Sequence, residues 1–277
     1  MIAMGYESIE VSVEAKVAHI RLSRPERMNA LAATFWRELP AAVRELDAGG
    51  GVRAAVISST GKHFTAGIDL AMFEHEPALD TATLAGRQRF RAKLIELQAS
   101  FHALAGARFP VIAAVQGGCI GGGVDFVAAC CLRYATRDAW FVIQEINLGM
   151  MADVGTLNRM PKQLPEAVVR ELAYTGDRLP AERAERLGFV NGLFDTHEAL
   201  VAGTLEIARR IAAKSPIAIA ATKDMISHAR DHSVAQSFEY LNALQPGIFS
   251  LDDIRRSVVA VKAKAAVDYG DLPPLGT

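Results

Sequence analysis

The spacing of apolar residues predicts two strands followed by a helix at the start of the chain. Apolar and polar residues alternate over positions 9–13 and 17–21, which is the period of a half-buried strand, and a turn near Ala15 separates the two. Over positions 32–46, apolar residues recur every three or four places, as on one face of a helix. Three glycines at 49–51 end that helix.

Continuous apolar runs predict fully buried strands further along the chain. Residues 54–59 and 111–115 are apolar or small, and both runs have the length of a strand. Residues 61–67 are predicted to form a loop or a short edge strand, and residues 72–80 an irregular segment. The remaining patterns predict helices over residues 81–104, 122–131, 155–164, 165–174 and 180–187, and short strands over 134–136, 140–143 and 189–194.

The pattern changes after His197, where helical spacing replaces the alternation of strands and helices. Helices are predicted over residues 198–213, 216–229, 233–244 and 251–266. We therefore predict an α/β core over residues 1–200 and a helical C-terminal region over residues 201–277. Helices without a sheet of their own need another surface to cover, either the core or a neighbouring subunit.

Composition limits the class of protein. The 277 residues are 51% hydrophobic and 22% charged, which is typical of a well-packed globular chain. A formal net charge of -1 provides no general attraction for nucleic acid or an anionic membrane. The longest apolar runs are too short to cross a bilayer, and residues 1–10 lack the apolar core of a signal peptide. We therefore expect a cytoplasmic protein with no nucleic-acid or membrane partner.

Three carboxylates occupy apolar, glycine-rich stretches: Asp125, Glu145 and Asp153. Each has an ordinary explanation on its own. Asp125 would complement the dipole at the start of a helix, Glu145 would be a solvated strand end, and Asp153 would cap the next helix. Together they indicate one site, because acids in apolar surroundings have raised pKa values and exchange protons near neutral pH. Such a site would transfer protons at carbon.

Glycines that follow a buried strand form a second candidate site. Gly117-Gly118 and Gly121-Gly122-Gly123 stand between a predicted strand and a helix. The backbone amides of such a turn can meet an oxyanion, but a tight packing turn explains the same residues equally well. The spacing differs from the G-x-G-x-x-G of dinucleotide-binding turns. In the loop over residues 63–69, Asp69 is expected to cap a helical turn, and His63 is given no catalytic role.

Three stretches of the sequence resemble the motifs of the crotonase superfamily, also called the enoyl-CoA hydratase/isomerase family. They are Leu22-Ser23-Arg24-Pro25 with Met28-Asn29-Ala30-Leu31, then Phe64-Thr65-Ala66-Gly67-Ile68-Asp69-Leu70, and then Gly117 to Asp125. The resemblance extends from about Glu7 to Lys264. It implies a spiral of strand–strand–helix units with a C-terminal helical region that builds trimers, often paired into hexamers.

The resemblance also implies a site for an acyl-CoA thioester. The backbone N–H groups of Ala66 and Gly122 would hold the thioester oxygen, and Arg24 and Arg27 would meet the phosphates of coenzyme A. Pre-aimed amides suit enolate chemistry, because they meet the negative charge that develops on that oxygen. The implied chemistry requires no metal and no cofactor besides the coenzyme A that the substrate carries. It belongs to fatty-acid β-oxidation.

Within the family, residues 117–125 and 152–157 are most similar to enzymes that convert 3,5-dienoyl-CoA to 2,4-dienoyl-CoA. The resemblance implies that Glu145 removes a proton from C2, that Asp153 delivers one at C6, and that Asp125 tunes Glu145. Simple hydratases have glutamate at the position of Asp125 and a small residue at that of Asp153. An enoyl-CoA hydratase is the alternative, followed by a non-catalytic acyl-CoA-binding protein.

Two positions depart from the pattern of the family. Cys131 stands where relatives have the aspartate of Cys-Asp-Ile-Arg, and Asn147 stands where close relatives often have aspartate. The three cysteines have neither disulfide nor zinc spacing and are expected to be reduced residues of the core. The acyl chain is expected to lie among residues 73–101, the segment with the least regular pattern.

Overall fold

The computed structural model describes residues 6–75 and 81–276, and it combines a spiral of strands and helices with a helical C-terminal region. The strands are β1 (Ile9–Glu14), β2 (Val17–Leu22), β3 (Ala54–Ser59), β4 (Val111–Val115), β5 (Gly118–Ile120), β6 (Leu132–Thr136), β7 (Trp140–Val142), β8 (Leu179–Pro180) and β9 (Gly192–Phe194). The helices are α1 (Ala33–Ala48), α2 (Ala71–His75), α3 (Leu84–Gly106), α4 (Gly122–Ala128), α5 (Thr156–Arg159), α6 (Glu166–Thr175), α7 (Ala181–Arg186), α8 (His197–Ala212), α9 (Pro216–Asp231), α10 (Val234–Ile248) and α11 (Leu251–Ala263). Short 3₁₀ helices cover Pro25–Arg27, Glu145–Leu148 and Met160–Lys162.

Six strands form the main sheet, in the order β1-β2-β3-β4-β6-β9. β1 and β2 pair antiparallel, and the other pairs are parallel. β3 and β4 are central and buried on both faces, which explains their continuous apolar sequences. Ile57 and Val111 belong to the larger core with α1 and α3, whereas Val56 and Ile112 belong to a smaller core with α8.

A second sheet contains three short strands in the order β5-β7-β8. Two residues separate β4 from β5, which pairs with β7 in parallel, and one residue separates β5 from α4. The chain therefore runs strand–strand–helix through β4, β5 and α4, as the family resemblance implies. This order places α4, with Asp125 in its first turn, directly behind a strand.

Most elements lie where the sequence predicts them, and the differences occur near glycine and proline. β5 lies inside the glycine-rich segment that predicted only a turn. The helix predicted over residues 155–164 is divided into α5 and a 3₁₀ helix, because Pro161 has no N–H to continue the α-helical hydrogen bonds. Of the segment predicted to be irregular, residues 72–75 belong to α2, and residues 76–80 lie outside the described residues.

An aromatic cluster supports α4. Phe126, the neighbour of Asp125, stacks on Phe101 of α3 with 5.2 Å between ring centroids and 9° between ring planes. Its ring centroid also lies 5.5 Å from that of Phe35 of α1 and 5.8 Å from that of Phe64. These four rings are at most 1% exposed, so burial of each contributes about 1.5–3 kcal/mol. The cluster holds in place the helix that carries Asp125.

The end of the chain returns to the core as a segment that we call the C-terminal strap, residues 269–275. The buried guanidinium of Arg53 donates hydrogen bonds to Asp271 Oδ1 (2.8 Å), to the carbonyl of Tyr269, and to the last carbonyl of α8 (3.1 Å). The N–H of Leu275 donates to the last carbonyl of α1 (2.9 Å). One arginine therefore connects the strap, α8 and the chain just before β3.

α8 packs on the main sheet, although it lies mostly beyond the predicted boundary near residue 200. It begins at His197, and its buried Leu200, Ala208 and Ala212 share the smaller core with β3 and β4. Of the two surfaces that the C-terminal helices are expected to cover, α8 therefore covers the core of its own chain. The division into residues 1–200 and 201–277 stays a prediction.

The last two helices expose many apolar side chains. Phe238 on α10 is 59% exposed, and Val258 and Val259 on α11 are 49% and 66% exposed. Exposed apolar patches of this kind mark interaction surfaces. Within residues 6–75 and 81–276, no helix is both long and apolar enough to cross a bilayer.

We expect Asp271→Ala to lower the free energy of unfolding by about 1–3 kcal/mol, because it leaves the buried guanidinium of Arg53 without its carboxylate. The Asp271 side chain is 44% exposed, which keeps the loss below that of a fully buried pair. Urea denaturation measures the change. Asp268→Ala, which removes an exposed acid just before the strap, should change stability by less than about 0.5 kcal/mol. Equal losses in the two variants would contradict the assignment.

Candidate active site

Asp125 is buried in the first turn of α4 and is 1% exposed. The N–H of Thr156, the first residue of α5, donates to its Oδ1 at 2.5 Å. Asp125 therefore also binds the N-terminus of a second helix, besides standing in the first turn of its own. The hydrogen bond joins α4 to α5 and fixes the orientation of the carboxyl group.

Glu145 approaches the start of α4 from the second sheet. It begins the 3₁₀ helix that follows β7, and its Oε1 lies 3.1 Å from where a Cβ would stand at Gly121. Gly121 has φ of 51°, a conformation that glycine adopts without strain. Glu145 Oε2 is buried and has no hydrogen-bond partner among the described residues. A buried unpaired oxygen is costly, and at a catalytic site it is free to take a proton from a ligand.

Asp153 stands in the loop between the 3₁₀ helix of Glu145 and α5. The side chain of Gln98 on α3 donates from Nε2 to the backbone carbonyl of Asp153 at 2.7 Å. The residues on either side, Ala152 and Val154, are buried, whereas Asp153 itself is half-buried. The loop is therefore anchored through its backbone and its apolar neighbours.

The three carboxyls form one electrostatic group, which we call the acid cluster. Burial, followed by the charges of Asp125 and Asp153, raises the pKa of Glu145 to about 7. Burial likewise raises the pKa of Asp125 to about 6, although hydrogen bonding by Thr156 opposes the rise. Burial also raises the pKa of Asp153. The structure thus brings together the three acids that the sequence singles out, with pKa values shifted toward neutrality.

Backbone hydrogen bonds fasten three segments side by side next to the acid cluster. Residues 64–69 pair with residues 116–121 on one side and with residues 28–31 on the other, and we call this arrangement the three-segment ladder. The hydrogen bonds run from Phe64 N–H to Gln116 O (2.8 Å), Thr65 N–H to Gly118 O (3.2 Å), Ile120 N–H to Thr65 O (3.2 Å), Leu31 N–H to Gly67 O (2.8 Å) and Asp69 N–H to Leu31 O (3.2 Å).

The ladder decides which amides are free for a ligand. The N–H of Ala66 donates to the carbonyl of Met28 at 2.9 Å, so the amide that the family resemblance assigns to the thioester oxygen is already occupied. The N–H of Ile68 makes no hydrogen bond within the described residues, and its nitrogen lies 3.7 Å from where a Cβ would stand at Gly122. Gly122 begins α4, so its N–H has no acceptor within the helix. The adjacent free amides are those of Ile68 and Gly122.

Of the two arginines expected to meet coenzyme A, Arg24 directly precedes the 3₁₀ helix Pro25–Arg27 and Arg27 is its last residue. Arg24 is half-buried, and its Nη1 is buried without a hydrogen-bond partner in the part of the chain that the structure describes. Arg27 is exposed, and its Nη2 lies 3.9 Å from Asp69 Oδ2 at the end of the ladder. Both arginines therefore lie next to the three-segment ladder.

The other polar residues of these loops have structural partners. Asp69 Oδ1 accepts a hydrogen bond from the N–H of Ala71 at 3.1 Å, which confirms the predicted cap. His63 Nδ1 accepts one from the N–H of Gly118 at 2.9 Å, at the start of β5. Asn147 donates from Nδ2 to Gln144 Oε1 at 3.2 Å, within its own turn.

Cys131, one of the two departures from the family pattern, has a backbone neighbour. The N–H of Val111 donates to its Sγ at 3.5 Å. The nearby Lys223 donates to three backbone carbonyls at the end of α3, at 2.7–3.0 Å, and the buried Arg133 also donates only to carbonyls. Backbone carbonyl oxygens thus accept hydrogen bonds from both Lys223 and Arg133. All three cysteines are free thiols, and in the described ranges no group of three or more His, Cys, Asp and Glu is placed to hold a metal ion.

The sequence matches the model of one protein family and is similar to named relatives. The model of the enoyl-CoA hydratase/isomerase family matches residues 12–271. The mitochondrial Delta(3,5)-Delta(2,4)-dienoyl-CoA isomerase of Mus musculus is 38% identical over 264 residues, which are 94% of this chain and 81% of the relative. The peroxisomal Delta(3,5)-Delta(2,4)-dienoyl-CoA isomerase of Arabidopsis thaliana is 36% identical over 277 residues, 97% of this chain and 99% of the relative.

Solved structures agree with this assignment of the fold. The crystal structure of an enoyl-CoA hydratase from Mycobacterium marinum has a TM-score of 0.80 and 30% sequence identity, and the match covers 95% of this chain and 99% of that one. The strand–strand–helix units, the C-terminal helices and the family match over residues 12–271 lead to one conclusion. The chain belongs to the enoyl-CoA hydratase/isomerase family.

Proposed function

We propose that this protein isomerises 3,5-dienoyl-CoA to 2,4-dienoyl-CoA. The observation that carries the proposal is the presence of two titratable carboxyls, Glu145 and Asp153, in one electrostatic group beside two free backbone amides. The relatives from Mus musculus and Arabidopsis thaliana, which are named as isomerases of this kind, support it at 38% and 36% identity.

The thioester oxygen of the substrate would accept hydrogen bonds from the N–H groups of Ile68 and Gly122. Ile68 takes the place of Ala66 in this proposal, because the Ala66 amide is bound to Met28. Loss of a proton at C2 puts negative charge on that oxygen, and fixed donors stabilise it without reorganisation. One such donor is worth about 3–4 kcal/mol in the transition state.

The double bonds move by transfer of two protons. Ionised Glu145 takes the proton from C2, and the electron pair of that C–H bond enters a conjugated dienolate whose charge extends to C6 and the thioester oxygen. Protonated Asp153 then gives its proton to C6, and the double bonds end at C2 and C4. Glu145 is now protonated and Asp153 ionised, so one proton must return from Glu145 to Asp153 before the next turnover.

Asp125 acts on the reaction through Glu145. Its negative charge raises the pKa of Glu145 and thereby makes that carboxylate a stronger base. Three neighbouring acids repel one another when all are ionised, so the cluster retains a proton near neutral pH. The reactive state has that proton on Asp153, with Asp125 and Glu145 ionised.

The remaining parts of the substrate site follow from the arginines. We assign the phosphates of coenzyme A to Arg24 and Arg27, because an unpaired guanidinium nitrogen beside the ladder suits an anion. The scheme uses no metal and no cofactor other than the coenzyme A of the substrate. A place in fatty-acid β-oxidation is part of the same proposal, and the cytoplasmic location stays a prediction.

An enoyl-CoA hydratase is the second candidate, since the similar solved structure from Mycobacterium marinum carries that name. Hydration would use Asp125 and Glu145 to hold a water molecule and would leave Asp153 without a role. Hydration of crotonyl-CoA much faster than isomerisation of a dienoyl-CoA would favour this candidate. Tight binding of acyl-CoA with no turnover of either substrate would favour the third, a non-catalytic binding protein.

We also propose that the protein forms trimers, or hexamers made of two trimers. The exposed apolar side chains of α10 and α11, including Phe238, Val258 and Val259, form a surface that a second copy would cover.

We expect Asp153→Asn to lower the rate of 3,5-dienoyl-CoA isomerisation by about 100-fold or more, because the amide cannot donate a proton at C6. Ultraviolet absorbance follows the appearance of the conjugated 2,4-isomer. Asp177→Asn removes an exposed acid outside the cluster and should retain the wild-type rate. An unchanged rate in Asp153→Asn would remove this residue from the scheme, whereas an inactive wild-type protein would contradict the proposed function.

The isomerisation rate should depend on pH in a bell-shaped manner. The reactive state keeps one proton on Asp153 and none on Glu145, so kcat/KM should fall at low pH, where both acids are protonated, and at high pH, where both are ionised. The raised pKa of Glu145, about 7, places one limb near neutral pH. Glu145→Gln should be inactive at every pH. A wild-type rate that is constant between about pH 5 and pH 8 would contradict the role of Glu145.

Val259→Asp should shift the protein from trimer or hexamer toward monomer, because a charge on the exposed apolar face of α11 opposes its burial. Sedimentation velocity measures the distribution of species. Arg186→Asp reverses an exposed charge on α7 instead, and this variant should assemble as the wild type does. A monomeric wild-type protein would refute the assembly.

A further inference from the structure

Arg159, the last residue of α5, folds back over the start of its own helix. A side chain at Gly155 would collide with Arg159 Nη1, and Gly155 has φ of 142°, which disfavours other residues. The next residue, Thr156, is the one whose N–H donates to Asp125 Oδ1. The guanidinium of Arg159 therefore lies one residue away from the amide that holds Asp125.

The guanidinium of Arg159 makes no hydrogen bond or ion pair within residues 6–75 and 81–276. It is half-buried, and it interacts with Asp125 only through their charges. Other arginines of the chain are paired: Arg108 with Asp47 at 3.0 Å, and the buried Arg53 with Asp271 at 2.8 Å. A half-buried cation without a counter-charge is costly, so the arrangement around Gly155 requires a source of negative charge.

The acid cluster is that source. Burial lowers the pKa of Arg159, and the charge of Asp125 opposes that effect. Arg159 in turn lowers the pKa of Asp125, against the larger effect of burial. Several other titratable or charged groups interact electrostatically with Asp125 or Arg159. They are Asp153 and Glu145 in the cluster, Cys119 in β5, Cys130 after α4, His102 in α3 and Arg230 in α9.

We propose that Arg159 is a positioning residue that supplies the counter-charge of the acid cluster and acts on the reaction through Asp125. The inference rests on the proposed function. Arg159 favours the ionised form of Asp125, so the proton that the cluster retains lies on Glu145 or Asp153, the two groups that exchange protons with the substrate. The guanidinium itself does not touch the substrate.

The test is the pH profile of isomerisation in Arg159→Gln. Removal of the cation makes every ionised form of the cluster less stable, so both limbs of the profile should move to higher pH by roughly one unit. Arg159→Lys keeps a positive charge and should recover most of the wild-type position. Arg230→Gln removes a neighbouring arginine that pairs with Asp231 instead, and its profile should coincide with that of the wild type.

A structural role would have a different outcome. It predicts a lower melting temperature or a lower rate with both limbs unmoved, and this result would overturn the proposal. If Arg159→Gln does not fold, Gly155→Ala is the second variant, because the added Cβ displaces the guanidinium while the charge of the protein is retained. The same upward shift is expected there, and an unmoved profile would be equally decisive against the role.

A second readout separates this inference from the proposed function. Infrared absorption of the buried carboxyl groups, recorded against pH, needs no substrate. Their protonation midpoints should move to higher pH in Arg159→Gln and remain near the wild-type values in Arg159→Lys. A wild-type protein that leaves 3,5-dienoyl-CoA unchanged contradicts the isomerase proposal alone, whereas carboxyl midpoints that do not differ between wild type and Arg159→Gln contradict the role of Arg159 alone.

Discussion

The three-segment ladder is the constraint on which the site depends. Residues 28–31, 64–69 and 116–121 are far apart in the sequence, and backbone hydrogen bonds of 2.8–3.2 Å hold them in register, together with one from the Thr65 hydroxyl to the carbonyl of Asn29. That register decides the direction of each amide. It uses the N–H of Ala66 within the ladder and leaves the N–H of Ile68 free beside Gly122. A slip of one residue would turn the free amide away, because successive amides of an extended segment point to opposite sides.

Burial of the acid cluster lowers the free energy of unfolding of the protein near neutral pH. Burial raises the pKa of Glu145 from 4.5 to about 7, so between these values the folded protein binds more protons than the unfolded chain. The free energy of unfolding therefore falls as the pH rises through this window, by on the order of 3 kcal/mol for this residue. The aromatic cluster under α4 offsets such a cost, because its four rings are almost completely buried. The aromatic cluster thus stabilises the fold directly beside the acid cluster, which destabilises it.

Features that depend on local sequence could be predicted, and features that depend on distant pairing could not. The apolar runs of β3 and β4 indicate central strands, and the apolar surroundings of Asp125, Glu145 and Asp153 indicate raised pKa values. The sequence does not predict β5, because its strand character comes from pairing with β7, whereas its own residues include glycine. The choice between Ala66 and Ile68 depends on Met28, which lies 38 residues before Ala66. Arg159 shows no local signal, since the sequence does not reveal that its side chain turns back over Gly155.

The C-terminal strap has a mechanical consequence for the helices before it. α8 is fastened to the main sheet, and Arg53 fastens the strap to the same core, so the chain between them is tethered at both ends. Lys223 of α9 adds a further attachment between these two, through the carbonyls at the end of α3. α10 and α11 therefore lie in a stretch of chain that is attached to the core at both ends, so neither helix can move away from the core independently of these attachments.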